Sequence, residues 1–416
     1  MKNAKKLIAS FLVCSIVGGL GVCGAFAEQK SRTGVDYPTV DAPEVTQENG
    51  VITAAEWAEV MPDLVASYEA NADNSYAIDY LEEDPYLVNI YEGYGFAKDY
   101  KSARGHSYCL TDGPGTARPH PLANCLTCKT ADYTALVNAL GTEAYSMDYE
   151  EALSMSHEDV GCYTCHENQA GNQGQLVMTH DYMVENMEGD IGEIDLSILS
   201  CGQCHIEYYF DATDNKATSV PYSSQEEMHP VKMLEYYNSI DFADWTQEST
   251  GTAMLKAQHP EFETFMADGG QHAVFGLTCA DCHMATETAE DGTTYISHKL
   301  ESPLENETLL ATCVQCHGST DMTEKVHTLQ AEITARETEV GNALSELKDT
   351  LAAANASGDY TEEELDAIRD LYRSAQWYFD FDYVENSEGA HNSTLANQCL
   401  TVAEAYIAEA MELFKA

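Results

Sequence analysis

Ten of the fourteen cysteines in this 416-residue chain stand in five C-x-x-C pairs. Histidine directly follows four of the pairs, in "CYTCH", "CGQCH", "CADCH" and "CVQCH", and lysine follows the fifth, in "CLTCK". Two thiols at this spacing with an imidazole next to them can attach haem covalently, because the thiols add to its vinyl groups and the imidazole binds the iron. A zinc site would use two such pairs for each metal, which leaves an odd pair over. The pattern therefore predicts covalently attached haem c, held by Cys162, Cys165 and His166, by Cys201, Cys204 and His205, by Cys279, Cys282 and His283, and by Cys313, Cys316 and His317.

The fifth pair, Cys125 and Cys128, is followed by Lys129 where the iron-binding imidazole is expected. An ammonium group cannot bind iron, so this lysine would have to be neutral, its pKa lowered by burial and by the metal. The alternative is a degenerate pair that holds no haem and carries a surface lysine. Ten further histidines are available as second axial ligands, and an iron with two protein ligands only transfers electrons. An iron held by Lys129 with an open second face could bind a substrate, which makes this site the candidate for catalysis.

The charge of the chain restricts its partners. The formal net charge is −50, from 70 acidic and 20 basic residues. Such a charge argues against nucleic acid and anionic membrane surfaces as partners. It also means that an anionic substrate would need local positive charge to reach its site.

The N-terminus has the pattern of a secretory signal. Three lysines among the first six residues precede an uncharged apolar stretch that ends in an A-x-A pattern at residues 25–27. Residues 1–27 are therefore predicted to be a signal peptide, with an uncleaved membrane anchor as the alternative. We expect an exported protein, in the periplasm or on the outer face of the cytoplasmic membrane. Cys109 and Cys399 lie outside the five pairs and could form a disulfide there, although nothing in the sequence shows that they meet.

Beyond the signal, the chain divides into two regions of one predicted domain. Residues 28–317 contain the five cysteine pairs, which glycine-rich and polar connections separate. Residues 318–416 have the periodicity of long helices. Alternating strand patterns are scarce, and the middle of the chain is poor in apolar side chains, so haem would supply much of its core. We predict a mainly α fold, a multihaem cytochrome c with a haem-packed core and long C-terminal helices.

Two capping boxes mark predicted helices. Thr53 and Glu56 open the helical pattern "AAEWAEVMPDLVASYE", and Thr361 and Glu364 precede "LDAIRDLYRSAQWYFDF". A long helix is predicted before Thr361, because a single helical stripe places apolar residues on one face: Val326, Leu329, Ile333, Val340, Leu344, Leu347 and Leu351. These C-terminal helices can pack on each other or on a second subunit.

Beyond the haem motifs, several blocks closely resemble the ammonia-forming cytochrome c nitrite reductases, which are pentahaem enzymes with one C-x-x-C-K haem. The resemblance runs from about residue 80 to beyond residue 391 and includes "FAKDYKSARGHSY", "CGQCHIEYYF", "DFADWTQ", "MLKAQHPEFETF" and "AQWYFDFDY". The combination of "CHIEYYF", "LKAQHPE" and the C-x-x-C-K motif is very specific. The resemblance implies six-electron reduction of nitrite to ammonium, with five covalently attached haem c groups and Ca²⁺ as cofactors.

The resemblance also implies the roles of individual residues at the catalytic haem. Lys129 would bind its iron, and Arg118, Tyr208 and His259 would line the open face where nitrite binds. Arg118 and His259 would supply positive charge and hydrogen bonds to the nitrite oxygens, and His259 and Tyr208 would relay protons. His120 could share the role of Arg118, which lies in a segment shorter than in many relatives.

Further ligands follow from the same resemblance. Calcium would be bound by the side chains of Glu207 and Gln258 and by the backbone carbonyls of Tyr208 and Lys256, an oxygen-only set that suits this hard cation. The second axial ligands of the haems held by His166, His205, His283 and His317 would be, in that order, His298, His106, His391 and His272. The four remaining histidines that match no motif, His157, His180, His229 and His327, are expected to be surface or structural residues.

The resemblance implies nitrite as the substrate, a quinol dehydrogenase or a cytochrome as the electron donor, and a homodimer built by the C-terminal helices. Two other functions remain open. One is a pentahaem electron conduit in which every iron has two protein ligands. The other is a related multihaem enzyme that acts mainly on hydroxylamine or sulfite, since the pocket of the family accepts these as well.

Overall fold

The protein is mainly helical, and its helices are short except at the C-terminal end. This computed structural model describes residues 41–414 apart from residues 42, 45, 75, 120–121, 168–174 and 188–190. The predicted signal peptide and His120 lie outside the described residues. The described α-helices, α1 to α17 in chain order, are Ala54–Trp57, Pro62–Glu69, Tyr80–Glu83, Tyr86–Ile90, Cys109–Asp112, Ala131–Leu140, Tyr149–Leu153, Asp181–Asn186, Leu196–Gly202, Pro230–Ser239, Glu261–Met266, Gln271–Val274, Cys279–His283, Glu307–His317, Met322–Ser357, Glu362–Tyr383 and Ser393–Leu413.

Strands contribute little to the fold. Three antiparallel hairpins pair β1 with β2 (Tyr209–Asp211 with Ala217–Ser219), β3 with β4 (Trp245–Gln247 with Thr252–Met254) and β5 with β6 (Thr286–Thr288 with Thr294–Ile296). Single 3₁₀ turns occupy Ala70–Asp73, Gly95–Ala97, His106–Tyr108, Ala123–Leu126, Gly141–Ser146, Cys162–Thr164, Ile191–Glu193, Gln225–Glu227 and Pro303–Glu305. The prediction of a mainly α protein is confirmed.

The long helices α15, α16 and α17 pack together at the C-terminal end. The predicted apolar stripe faces the core of the protein, where α15 buries Ile333, Val340, Leu344, Leu347 and Leu351. Gly358 ends α15 in a left-handed conformation (φ 74°), which glycine adopts without steric cost. The capping box of Thr361 and Glu364 then starts α16, with both reciprocal hydrogen bonds formed.

The expectation of one helix over "AAEWAEVMPDLVASYE" is wrong. The capping box of Thr53 and Glu56 does start a helix, but α1 ends at Trp57 and α2 begins at Pro62. Proline has no backbone N–H to donate, so it fits the first turn of a helix and disrupts the interior. The sequence therefore forms two short helices where its periodicity suggested a single longer one.

The middle of the chain supplies more of the apolar core than its composition suggested. Buried residues such as Met183, Leu199, Met233 and Tyr237 belong to the same core as the C-terminal helices. Trp377 of α16, for example, packs edge-on against Tyr237, with ring centroids 5.5 Å apart. Tyrosine and methionine residues of the middle region lie on separate short helices. Their burial therefore could not be predicted from sequence periodicity. None of the described helices is long and apolar enough to cross a membrane.

Candidate functional site

The five C-x-x-C motifs lie in helical segments or turns, where residues three apart share a face. The motif "CADCH" forms helix α13, and "CVQCH" ends helix α14. The motif "CYTCH" begins with a 3₁₀ turn, and the first two residues of "CLTCK" lie within another. None of these ten cysteines forms a disulfide, and neither does Cys109 or Cys399. Each motif therefore presents two thiols outside any disulfide on one side of a turn, which suits attachment to one flat group.

Among the described residues, four of the close pairs of histidine rings match the predicted haem ligands. Each pair joins a histidine that directly follows a cysteine pair to the histidine that the family resemblance assigned to it. The ring centroids are 5.8 Å apart for His166 and His298, 6.1 Å for His205 and His106, 6.1 Å for His283 and His391, and 6.3 Å for His317 and His272. The fold thus brings all eight predicted imidazoles into pairs.

These pairs fit a metal-bearing group between the rings. An imidazole nitrogen binds a metal at about 2 Å, so two rings on opposite sides of one ion have centroids about 6 Å apart. The side chain of His205 is 46% exposed although the residue is proposed to bind a metal-bearing group. Nδ1 of His166 is buried and has no hydrogen-bond partner among the described residues. Open surface beside interior imidazoles is what a large flat group such as haem would cover.

Lys129 shares one cavity with two of the other predicted catalytic residues, Tyr208 and His259. Cys125 and Cys128 form part of the same wall. The three catalytic candidates come from separate segments: the end of the "CLTCK" turn, the residue before β1, and the loop before α11. The cavity therefore combines an amine, a phenol and an imidazole beside one pair of thiols.

Burial sets the protonation of the groups in this cavity. It raises the pKa of Tyr208 well above the usual value, so the phenol keeps its proton and can donate a hydrogen bond. It lowers the pKa of His259, although the Glu261 carboxylate opposes this effect. A neutral imidazole can both accept and donate a proton, which is the behaviour required of a proton relay.

Arg118, the fourth predicted catalytic residue, does not line this cavity. Its guanidinium carbon is 4.6 Å from the centroid of the Phe96 ring, and its Nε is buried without a hydrogen-bond partner among the described residues. Burial raises the pKa of the Cys125 thiol, and the positive charges of Lys129 and Arg118 both lower it. The charges of Arg118 and Lys129 thus both act on the Cys125 thiol, and the unpaired N–H of Arg118 suits an anion.

The predicted calcium ligands also lie together. Glu207 is fully buried, with Oε1 accepting from the Tyr237 hydroxyl at 2.8 Å and Oε2 from the backbone N–H of Gln258 at 2.6 Å. The side-chain amide of Gln258 donates to the Lys256 carbonyl at 3.0 Å. Burial raises the pKa of Glu207 well above its usual value, because removal from water disfavours the charged form. A cation at this point would reverse that effect.

A second fully buried carboxyl group, Glu263, lies beside Glu207. Its Oε1 accepts from the backbone N–H of Glu207 at 2.9 Å and from the Tyr222 hydroxyl at 2.7 Å. Its Oε2 has no hydrogen-bond partner in the described part of the chain. The nearby Lys256 ammonium is bound by Asp380 at 3.1 Å. Two adjacent buried carboxyl groups and an unpaired oxygen fit a hard, oxygen-preferring cation such as Ca²⁺.

Comparison with known proteins identifies the family. The profile of the cytochrome c552 family matches residues 53–416. The chain belongs to the cytochrome c552 family. The resemblance drawn from the sequence motifs is confirmed, and so is the prediction of an oxidoreductase with covalently attached haem c.

Among solved structures, the chain is similar to the catalytic subunit of the cytochrome c nitrite reductase from Desulfovibrio desulfuricans, which was described with two calcium sites. The identity is 26% and the TM-score 0.77, over 88% of this chain and 86% of that chain. Lower similarity relates it to the outer cell wall cytochrome OcwA, with 18% identity, 73% and 48% coverage and a TM-score of 0.41. An undecahaem cytochrome from the S-layer of Carboxydothermus ferrireducens matches with 17% identity, 74% and 41% coverage and a TM-score of 0.39.

Some residues near the site were missed by the sequence analysis. Glu261 places Oε2 at 3.8 Å from Nδ1 of His205 and Oε1 at 4.0 Å from Nδ1 of His259. Its position two residues after His259 is the signal that could have identified it. A second missed carboxylate, Glu385, bonds to His391 at 2.6 Å, and no motif surrounds it.

His180 is a buried residue with no assigned role, and it lies between two of the thiol pairs. Its Nε2 is 3.3 Å from Sγ of Cys204, and its side chain is 4% exposed. Potential ligand atoms of His180, Cys204 and Cys128 all lie within 4.8 Å of one another. This position agrees with the expectation of a structural residue, and it puts His180 against two haem attachment points.

Proposed function

We propose that this protein is an ammonia-forming nitrite reductase. Each nitrite would take up six electrons and eight protons to yield one ammonium ion and two waters. The observation that carries the proposal is the shared cavity of Lys129, Tyr208 and His259 beside Cys125 and Cys128. The other four cysteine pairs each adjoin two facing imidazoles, whereas this pair adjoins one amine and a set of acid–base groups.

The five haem c groups would be held by the five cysteine pairs and the residues that follow them. His298, His106, His391 and His272 would be the second axial ligands of the haems bound by His166, His205, His283 and His317. When bound, the haem on Lys129 would supply an iron with one open face for the reduction of nitrite. The other four haems would supply the electrons. The distances between the paired rings support this assignment.

The residues of the cavity would bind nitrite and move its protons. Arg118 would hold the nitrite oxygens by charge and His259 would hold them by hydrogen bonds, which would weaken each N–O bond as its oxygen is protonated. Tyr208 would donate through a phenol that stays protonated, and His259 would accept and pass on protons at neutral pH. Positive charge at this point would also admit an anion into a strongly acidic protein.

Calcium would position these catalytic groups. The proposed ligands are the side chains of Glu207 and Gln258 and the carbonyls of Tyr208 and Lys256. Glu207 directly precedes Tyr208, and Gln258 directly precedes His259. One cation bound at these residues would therefore fix both catalytic segments against each other.

The test is the formation of ammonium from nitrite with a reduced viologen as the electron donor. We expect ammonium as the product, with six electrons consumed for each nitrite. A protein that accepts electrons from the viologen but forms no ammonium would favour the electron conduit. Parallel assays with hydroxylamine and sulfite would establish which substrate has the highest kcat/KM.

The remaining parts of the proposal rest on the family resemblance. We propose that the protein is exported, forms a homodimer through its C-terminal helices and receives electrons from a quinol dehydrogenase or a cytochrome. Sedimentation of the purified haem-loaded protein would test the dimer, and fractionation of the producing cells would test export.

A further inference from the structure

A buried carboxylate fixes one of the proposed axial ligands, His391, in the loop between α16 and α17. Nδ1 of His391 lies 2.6 Å from Oε1 of Glu385, whose side chain is 4% exposed. An ionised carboxylate only accepts hydrogen bonds, so Nδ1 carries the proton and donates it. The other ring nitrogen, Nε2, is then the one left to bind a metal. The ring faces His283, with centroids 6.1 Å apart.

The loop holds both members of this pair in place. The hydroxyl of Ser387 donates to Oε2 of Glu385 at 2.5 Å and accepts from the backbone N–H of His391 at 2.8 Å. The next residue, Asn392, donates to the Thr264 carbonyl at 3.2 Å and caps helix α17 through its side-chain oxygen. The carboxylate and the imidazole are therefore orientated by the protein itself.

This arrangement differs from those of the other proposed ligands. His298 and His283 also bond through Nδ1, but each is paired with a neutral backbone carbonyl, at 2.9 Å and 3.0 Å. Across the described residues, no carboxylate lies within hydrogen-bonding distance of the rings of His106 or His272. The carboxylate nearest to another proposed ligand is Glu261, whose Oε2 lies 3.8 Å from Nδ1 of His205, beyond hydrogen-bonding distance. His391 is thus distinguished by a charged acceptor within hydrogen-bonding distance.

A charged acceptor changes the ligand that it binds. A carboxylate that accepts the N–H of an axial imidazole makes the ring a stronger donor, and a stronger donor stabilises the oxidised metal over the reduced metal. Burial and the charge of Glu385 both raise the pKa of two further acids, Asp382 and Glu337. Their negative charge would act in the same direction when they ionise.

We propose that Glu385 lowers the reduction potential of the haem held by His283 and His391. Glu385 is then a positioning residue, because it acts through His391 and touches neither iron nor substrate. This inference rests on the proposed pairing of His283 with His391. Its consequence is that this haem passes its electron on more readily than it would with a neutral partner at Nδ1.

The experiment is a redox titration of the haem-loaded protein that follows each low-spin ferric haem by electron paramagnetic resonance. Glu385→Gln removes the charge but keeps a group that can accept a hydrogen bond. Glu388→Gln is the matched control, because Glu388 is exposed, lies three residues away in the same loop and carries the same charge. Ser387→Ala is a second variant that removes the hydroxyl donating to Glu385.

We expect the midpoint potential of one haem to rise in Glu385→Gln, while the other haems and Glu388→Gln stay close to the parent protein. Ser387→Ala leaves the Glu385 carboxylate with one donor fewer and makes it a stronger acceptor for His391, so the potential of the same haem should fall. Unchanged potentials in both test variants would overturn the inference. An equal rise in Glu388→Gln would also overturn it, because the effect would then reflect net charge and not the hydrogen bond.

The haem content of every variant is checked first by the pyridine haemochrome spectrum. Failure of Glu385→Gln to load five haems leaves Ser387→Ala as the deciding variant. If the parent protein lacks low-spin signals from bis-imidazole haems, the ligand pairing itself is wrong. Nitrite reduction does not enter the measurement, so the outcome is independent of the substrate.

Discussion

The imidazole rings of His205 and His259 lie with their centroids 6.4 Å apart, and their planes are inclined by 67°. The Glu261 carboxylate is within 4.0 Å of Nδ1 of both rings. One is the proposed ligand of a haem that carries electrons, and the other is the proposed proton donor to nitrite. A single carboxylate therefore adjoins both a proposed electron-transfer centre and the candidate catalytic cavity.

Replacement of His259 with Asn should leave five haems in place and slow ammonium formation by at least about 100-fold, since a positioned acid–base group contributes on the order of 10²–10⁴ to a rate. Asparagine can hydrogen-bond but does not exchange protons at neutral pH. The measurement is ammonium from nitrite at saturating viologen. His327→Asn, on the exposed surface of α15, is the control. Unchanged turnover in His259→Asn would show that the residue has no catalytic role.

One haem of the five should be high-spin and should bind cyanide, because the proposed ligation by Lys129 would leave one face of its iron open. Replacement of Lys129 with Ala should alter that signal and leave the four low-spin haems unchanged. Lys232→Ala, which removes an exposed lysine paired with Glu235, should alter none of them. Optical and electron paramagnetic resonance spectra supply the measurement. Five low-spin haems that ignore cyanide would leave only an electron conduit.

Chelation of calcium should lower both the melting temperature and the rate of ammonium formation. A ligand that binds only the folded state at 100 times its Kd stabilises that state by about 2.7 kcal/mol. Glu207→Gln should lose the calcium that the parent protein retains, as measured by atomic emission per chain. Glu226→Gln replaces an exposed glutamate and serves as the control. Full calcium content in Glu207→Gln would place the ion elsewhere.

Replacement of Gly202 with Ala should destabilise the protein by about 1–3 kcal/mol, which is typical of an overpacked core. A Cβ at this position would lie 2.6 Å from a ring carbon of Phe262. Phe262 is hydrogen-bonded to the His205 carbonyl at 3.0 Å, so its displacement should disturb the neighbouring His259 and slow turnover as well. Chemical denaturation and the ammonium assay measure the two effects.

The control for Gly202→Ala is Val314→Ala, at the same motif position in "CVQCH", where the side chain is 55% exposed. This substitution should change neither stability nor rate. If Gly202→Ala also left stability and rate unchanged, the close approach of Phe262 would not constrain the site.

Ionisation of Asp382 should lower the stability of the folded protein as the pH rises from 5 to 8. Burial and the charge of Glu385 raise the pKa of Asp382 to about 7, against the opposing charge of Arg336. The folded state thus holds this proton more tightly than the unfolded state, whose aspartate has a pKa of about 3.9. The stability contributed by the proton is complete below that value and is lost as the pH rises through about 7.

The melting temperature of Asp382→Asn should therefore fall less between pH 5 and pH 8 than the melting temperature of the parent protein. Other acids in the same cluster also contribute, since burial raises the pKa of Glu337 and the charges of Asp382, Glu388, Asp84 and Glu385 raise it further. Asp370→Asn, at an exposed position of α16, should melt like the parent protein at both pH values. Equal losses in Asp382→Asn and in the parent protein would exclude Asp382 as the source.

The predictions that succeeded best concern residues close together in the chain. The capping box of Thr361 and Glu364 and the buried stripe of α15 both formed as expected, because helix starts and helix faces depend on residues three or four apart. The pairing of His166 with His298 depends on no local pattern. It could be anticipated only from the family resemblance, since more than a hundred residues separate the two rings that the fold brings face to face.

What the sequence determined alone is the covalent chemistry: the five thiol pairs, and a lysine in place of one histidine. These follow from neighbouring residues on a single turn, where spacing dictates which atoms meet. Only the tertiary structure decided that Glu385 bonds to His391 and that Glu261 lies between His205 and His259. Such contacts depend on how short helices without strong periodicity pack around the middle of the chain, and packing between distant segments leaves no mark in local spacing.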